Sequence, residues 1–314
     1  MYWRKTIRRW SVAFAALFAV GGCEMGQMTS SFPQARPNGL ANLEVQPPSA
    51  ESTQLRQYFT QVQSAQLNQG LLRQGGGGPD TPFTADMLAR NFEQIVFYNE
   101  YASALQGRGG KSPLRRWEVP VRVDIIFGPS VPAEQRARDE KAARDYVTRL
   151  ARVTGHPISN YGGPNFVVIF ASEDDRDVAL DAAAARIAGI TPESLNPLRN
   201  LGRDTYCAVA AYASGPQAYD YSAAVAVVRT ENPSLLRLSC IHEEMAQGLG
   251  LANDSRDARP SIFNDDDEFA LLTNHDELLL KMLYDPRLRP GMTADEAAPI
   301  TRIIARELTA TAPL

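Results

Sequence analysis

Histidine is scarce in this chain: three residues in 314, at positions 156, 242 and 275. No pair of them has the spacing of a histidine-built metal motif. Cysteine is as rare, with three residues, too few for a disulfide-framework miniprotein. There is no excess of positive charge, since 32 Lys+Arg face 36 Asp+Glu for a formal charge of −4, which argues against a nucleic-acid footprint. No internal repeat is visible. What remains, 44% apolar and 22% charged residues, is the composition of an ordinary folded chain and excludes a wholly disordered or collagen-like one.

The first residues read as an address. Arg4, Lys5, Arg8 and Arg9 precede an apolar run, Ser11 to Val20. That run is too short for a spanning helix, which needs about 20 apolar residues, and it has the flanks of a signal peptide. Val20-Gly21-Gly22-Cys23 resembles a bacterial lipobox, which implies acylation of Cys23 as the mature N-terminus. By the same resemblance, Glu24 after that cysteine favours the outer membrane. Removing residues 1–22 takes four basic residues and no acidic one, so 28 basic residues remain against 36 acidic, a charge of −8. Such a body gains nothing from anionic lipid by charge, and the acyl chains would do the anchoring. In an oxidising periplasm, Cys207 and Cys240 are expected to be bridged. Two buried free thiols or a thiolate metal ligand are the alternatives.

Residues 24–50, with Pro33, Pro37, Pro47 and Pro48 among polar residues, read as a flexible linker. Helices are expected over 52–73 and after Thr84, as packing elements. Val121, Val123, Ile125 and Phe127 alternate as a strand. Ala133 to Thr154 reads as a helix closed by Gly155, and Phe166–Phe170 as a central strand. An Ala-rich helix follows at about 175–188, then strands at Cys207–Tyr212 and Ala223–Val228. Asn232 is placed to cap a helix whose stripe is Leu238, Ile241, Met245 and Leu249. At about 100° per residue, Glu243 and Gln247 fall on the other face, with Glu244 on the flank and His242 turned toward the stripe. Gly250 stands where the chain can reverse and carry Asn253 back under that face. Asn264 to Glu268 reads as an acidic run at a helix N-terminus, and Thr293 with Glu296 as a capping box.

The stretch Glu243 to Asn253 resembles the metzincin pattern H-E-x-x-H-x-x-G-x-x-H, and Leu249-Gly250-Leu251 is similar to its matrixin form. The resemblance puts Glu244 at the general base, and Glu243, Gln247 and Asn253 at the three zinc ligands. It makes Ser261-Ile262-Phe263 the turn beneath the metal, with Phe263 in place of its Met, and His275 to Tyr284 the following helix. With a lipobox, the string His242 to Asp254 is also similar to a proteobacterial lipoprotein family catalogued as domain of unknown function 2927.

The expected fold is therefore α+β, zincin-like (metzincin-like), with a mixed sheet. The expected organisation is a lipoprotein signal peptide at 1–22, a linker at 23–50, a helical N-terminal extension at 51–116 and the zincin-like domain at 117–314. Carboxamide oxygen is a weak, hard donor, so no cofactor follows from this set, although oxygen donors leave a divalent cation (Ca, Mg or Zn) open. The expected role is a lipid-anchored envelope protein with a degenerate metal site, binding an envelope protein or peptide in its cleft. The alternative is a metal-dependent hydrolase or peptidase with Glu244 as base.

Overall fold

The structure, a computed structural model, describes residues 47–76, 79–99, 110–213, 219–264 and 266–311. The expected signal peptide, Cys23 and nearly all of the linker lie outside the described residues. Among the described residues no helix is long and apolar enough to cross a membrane.

The architecture is mixed α+β around a five-stranded sheet. Its strands are β1 (Val121–Phe127), β2 (Ile158–Ser159), β3 (Phe166–Ala171), β4 (Cys207–Ala213) and β5 (Tyr221–Arg229), in the order β2-β1-β3-β5-β4. All neighbours are parallel except β4, which runs antiparallel to β5 at the edge. Every residue of β3 is buried, which is why its sequence is apolar on both sides. Phe166, Val168 and Phe170 join one core, and Val167 and Ile169 the other. In β1 the residues at 121, 123, 125 and 127 face the first core and Ile126 the second, as strand alternation requires.

Among the described residues there are eight α-helices: α1 (Ala50–Asn68), α2 (Ala85–Val96), α3 (Ala133–Thr154), α4 (Arg176–Ala184), α5 (Asn196–Arg199), α6 (Ser234–Gln247), α7 (Asn274–Leu283) and α8 (Ala294–Thr311). Residues of α2, α3, α6, α7 and α8 build the larger core, while α4 and α5 close the other face. The first two helices pack as expected: Leu88, Phe92 and Ile95 share the core of Trp117, and Leu55 and Phe59 meet Leu236 and Ala270. Caps follow the sequence at several ends. Thr84 accepts from the Met87 N–H (3.2 Å), Gly155 closes α3 at φ +67°, and Thr293 and Glu296 form their reciprocal pair.

Four expectations are corrected. Helix α1 ends at Asn68 and not at 73, because Gly70 and Leu72 take positive φ (+78° and +55°) and the Leu72 N–H turns to the Asp267 carbonyl (2.9 Å). Asn232 does not cap α6: Pro233 stands at that position, and the Asn232 amide donates to the Tyr206 carbonyl (2.9 Å) instead, drawn there by the bend leaving β5. Helix α4 stops four residues short of 188, its end tightening to an Arg186 N–H to Ala183 carbonyl bond. The acidic run from Asn264 does not open a helix, since α7 begins only at Asn274. Asp267 accepts from the Gln66 amide of α1 (2.5 Å), and Glu268 pairs with Arg73 in the turn after it (3.0 Å) and with Arg259 of its own loop.

Two glycines let the end of α6 approach its neighbours. A Cβ on Gly248 would lie 2.5 Å from Phe166 Cζ. One on Gly250, whose φ is +126°, would lie 2.5 Å from the Arg115 carbonyl oxygen. Gly155 also has a positive φ, but open space around it. Gly248→Ala and Gly250→Ala should each lower stability by roughly 1–3 kcal/mol, read as urea midpoints, and more than Gly155→Ala. Equal losses at all three would show that the close approach sets nothing.

Candidate functional site

Helix α6 is held at nearly every turn. Arg237 meets Asp139 of α3 with both at 8% side-chain exposure, the Nε to carboxylate distances being 2.9 and 2.8 Å. Cys240 is bridged to Cys207 at the start of β4, with Cα atoms 5.8 Å apart, so the expected disulfide is present. The Tyr146 hydroxyl donates to the His242 carbonyl (2.9 Å), and its ring stacks on the imidazole at 4.2 Å. Past the helix end, Trp117 Nε1 donates to the Gly248 carbonyl (2.8 Å) and the Tyr284 hydroxyl to that of Leu249 (3.0 Å).

The turn after the reversal is organised by one buried carboxylate. Asp276 accepts from the Ser261 hydroxyl (2.5 Å), the Ile262 N–H (3.1 Å), and the Thr273 N–H and hydroxyl (2.9 and 2.8 Å). Phe263 is fully buried there, and its carbonyl accepts from the Ser255 N–H (2.9 Å). The segment resembling the turn beneath a metal is thus a fixed loop tied to the first turn of α7.

On the face of α6 singled out by the sequence, Glu244 is 4% and Gln247 8% exposed. A merely solvated amphipathic face would leave both in water. The carboxylates of Glu243 and Glu244 lie with Cys207 Sγ in one cluster, all within 4.8 Å of one another. The Gln247 amide faces Asp254 Oδ1 at 3.4 Å. The Asn253 amide donates to the Gln94 carbonyl of α2 (2.8 Å). The reversal at Gly250 therefore returns the chain beneath α6, and it is Asp254 whose side chain reaches Gln247. Asp254 escaped sequence reasoning although it directly follows position 253. Cys207 escaped it as a neighbour of the two glutamates, because that proximity rests on strand order and leaves no local signal.

None of the three histidines belongs to this cluster. His242 is buried, as its place toward the apolar stripe suggested, and its Nδ1 accepts from the Leu272 N–H (3.0 Å). Burial, helped by the Arg149 charge, pushes its pKa down to about 3. His275 Nε2 lies 3.0 Å from the Asn91 amide against the edge of Phe83. His156 Nε2 donates to the Val119 carbonyl (2.9 Å), and burial lowers its pKa. On the rim, burial and the charges of Asp267, Tyr58, Asp204 and Glu243 raise the Tyr206 hydroxyl to about 12.

The donors can be weighed against zinc, which is held by imidazole, thiolate and carboxylate. Glu243 alone of the three presumptive ligand positions offers such a group, and carboxamide oxygens suit harder ions. Among the other donors nearby, the cysteine sulfurs are bonded to each other. A hydrolytic zinc does not fit this set.

The family model for a protein of unknown function (DUF2927) matches residues 85–303, from the first residue of α2 into α8. No curated protein and no solved structure matches.

The His242 environment sets an acid limit on the fold. The ordinary histidine pKa is 6.5 and the folded one about 3, so the unfolded chain takes up the proton first. Stability conferred by the neutral ring is complete above 6.5 and is lost as pH falls toward 3, by roughly 1.4 kcal/mol per pH unit. His242→Asn, whose carbonyl can take the place of Nδ1, should be less stable at neutral pH yet flatter between pH 6.5 and 4 in urea titrations. An unchanged slope would assign the acid sensitivity to carboxylates.

Proposed function

The chain belongs to the DUF2927 family of proteins of unknown function, and on that premise we propose that it is a lipid-anchored bacterial envelope protein, held in the outer membrane and facing the periplasm. Its zincin-like domain is a binding module built on the frame of a metal-dependent protease. The domain comprises residues 117–314, with 51–116 as its helical preface and 23–50 as a tether to the acylated Cys23. The mixed sheet ahead of α6, the reversal at Gly250 and the buried turn at Ser261–Phe263 support the zincin-like reading.

One observation carries the binding role. The three positions that a metzincin gives to imidazole hold Glu243, Gln247 and Asn253, and the Asn253 amide is taken up by the Gln94 carbonyl. A cleft so furnished keeps its shape without keeping the metal chemistry, in line with the general rule that a fold outlives any one activity. Beside it runs β4, and among the described residues no strand pairs with its outer edge. Its seven residues are half-buried and mostly small, so an extended peptide segment of an envelope protein can add there as a further strand, through main-chain hydrogen bonds.

The test uses the full-length protein with its disulfide intact. Radiolabelled palmitate should enter the wild type and not Cys23→Ala, which should leave the membrane fraction. The purified protein should carry no stoichiometric zinc and show no peptide hydrolysis that depends on Glu244. Stoichiometric zinc, with cleavage lost in Glu244→Ala, would overturn the reading in favour of an atypical metallopeptidase.

A further inference from the structure

The disulfide and the two glutamates form one group of donors between α6 and the start of β4. Cys207 Sγ and one carboxylate oxygen each of Glu243 and Glu244 lie within 4.8 Å of one another, and Cys240 Sγ, bonded to Cys207 Sγ, adjoins this group without belonging to the 4.8 Å set. Positions 240, 243 and 244 are spaced i, i+3, i+4, so three of the four donors project from one side of α6. The fourth is at the first residue of β4. Cys240 and Glu244 are buried, at 1% and 4% exposure, whereas Cys207 and Glu243 are half-buried and leave a way in from solvent.

We propose that reduction of the Cys207–Cys240 bond converts this corner into a binding site for a zinc-class divalent ion. The two released thiolates and the carboxylates of Glu243 and Glu244 are its ligands. The reductant is a dithiol. It delivers two electrons and two protons, the S–S bond breaks to two thiols, and the dithiol closes to its own disulfide. The entering M2+ then displaces both thiol protons into solvent. Thiolate and carboxylate are both zinc ligands, at about 2.3 and 2.0–2.2 Å; small rotations bring Cys207, Glu243 and Glu244 in from their 4.8 Å spread, and the Cys240 side chain, once freed, turns to complete the set. In the oxidised protein neither sulfur is a thiolate, and two carboxylates alone hold such an ion weakly. Helix α6 keeps its place after reduction, since Asp139, Tyr146 and Trp117 hold it independently of the bridge. This site uses neither Gln247 nor Asn253, and it is independent of whether the cleft binds a partner.

Cobalt(II) titration of the purified full chain tests it. The oxidised protein should show no thiolate-to-cobalt charge-transfer absorption. After reduction with a water-soluble phosphine it should bind one equivalent with that absorption, and zinc should displace the cobalt. Cys240→Ala should show a thiolate band without any reductant, through Cys207, Glu243 and Glu244. Glu243→Gln with Glu244→Gln should weaken binding by at least about tenfold, the loss typical even of outer-shell partners. Absence of the band in both the reduced protein and Cys240→Ala would overturn the proposal. So would unchanged affinity in the double glutamine variant, or unfolding of the reduced chain with cobalt present.

Discussion

The approach of Phe166 to Gly248 fixes how near the end of α6 can come to the sheet. With no side chain at position 248, the Phe166 ring of the central strand lies against the backbone where the helix ends. Trp117 stacks on Phe166 at 6.4 Å and uses its indole N–H on the same glycine's carbonyl. A buried helix end with open carbonyls is costly, and here the indole and the Tyr284 hydroxyl satisfy two of them while filling space. The direction in which the chain leaves α6, and so the place of everything from Gly250 to Phe263, follows from that contact.

Asp276 plays the corresponding part at the start of α7. A fully buried carboxylate is tolerated when its oxygens are hydrogen-bonded. Ser261, Ile262 and Thr273 supply those bonds, and the same residue completes the capping box of α7. One side chain therefore pins a loop and starts a helix. Because its partners are neutral donors from the local backbone and two hydroxyls, the loop needs no cation to hold its form.

What could be read from the sequence follows the range of the forces involved. Strand β3 is an unbroken apolar run, helix α3 is periodic over its length, and Gly155 ends α3 for a reason confined to its own backbone. Two-residue β2 was not legible, because it exists only through its parallel pairing with Val121 and Arg122. Asn232 has the chemistry of a cap, yet the Tyr206 carbonyl, distant in sequence, competes for its side chain and wins. At the candidate site the helical face could be derived from spacing alone. Its burial could not, since that depends on the chain returning after Gly250 and on β4 lying alongside. For the same reason Asp254 and Cys207 came into view only with the fold.

The polar side chains around α6 are matched by the bonds they make. A histidine ligand must hold one ring nitrogen clear for a metal while its other nitrogen is oriented by a second partner. The histidines that are present are engaged within the fold. His242 uses Nδ1 to receive the Leu272 N–H and stacks flat on Tyr146, and its depressed pKa keeps it neutral. Asn253 ties the returning chain to α2, while Ser52 of α1 donates to the buried Glu231 (2.7 Å) and Gln63 accepts from the Leu236 N–H (3.1 Å) at the start of α6. The helices before the sheet are thereby joined to both ends of α6. Side chains on and beside α6 thus hold the helices that precede the sheet against the body.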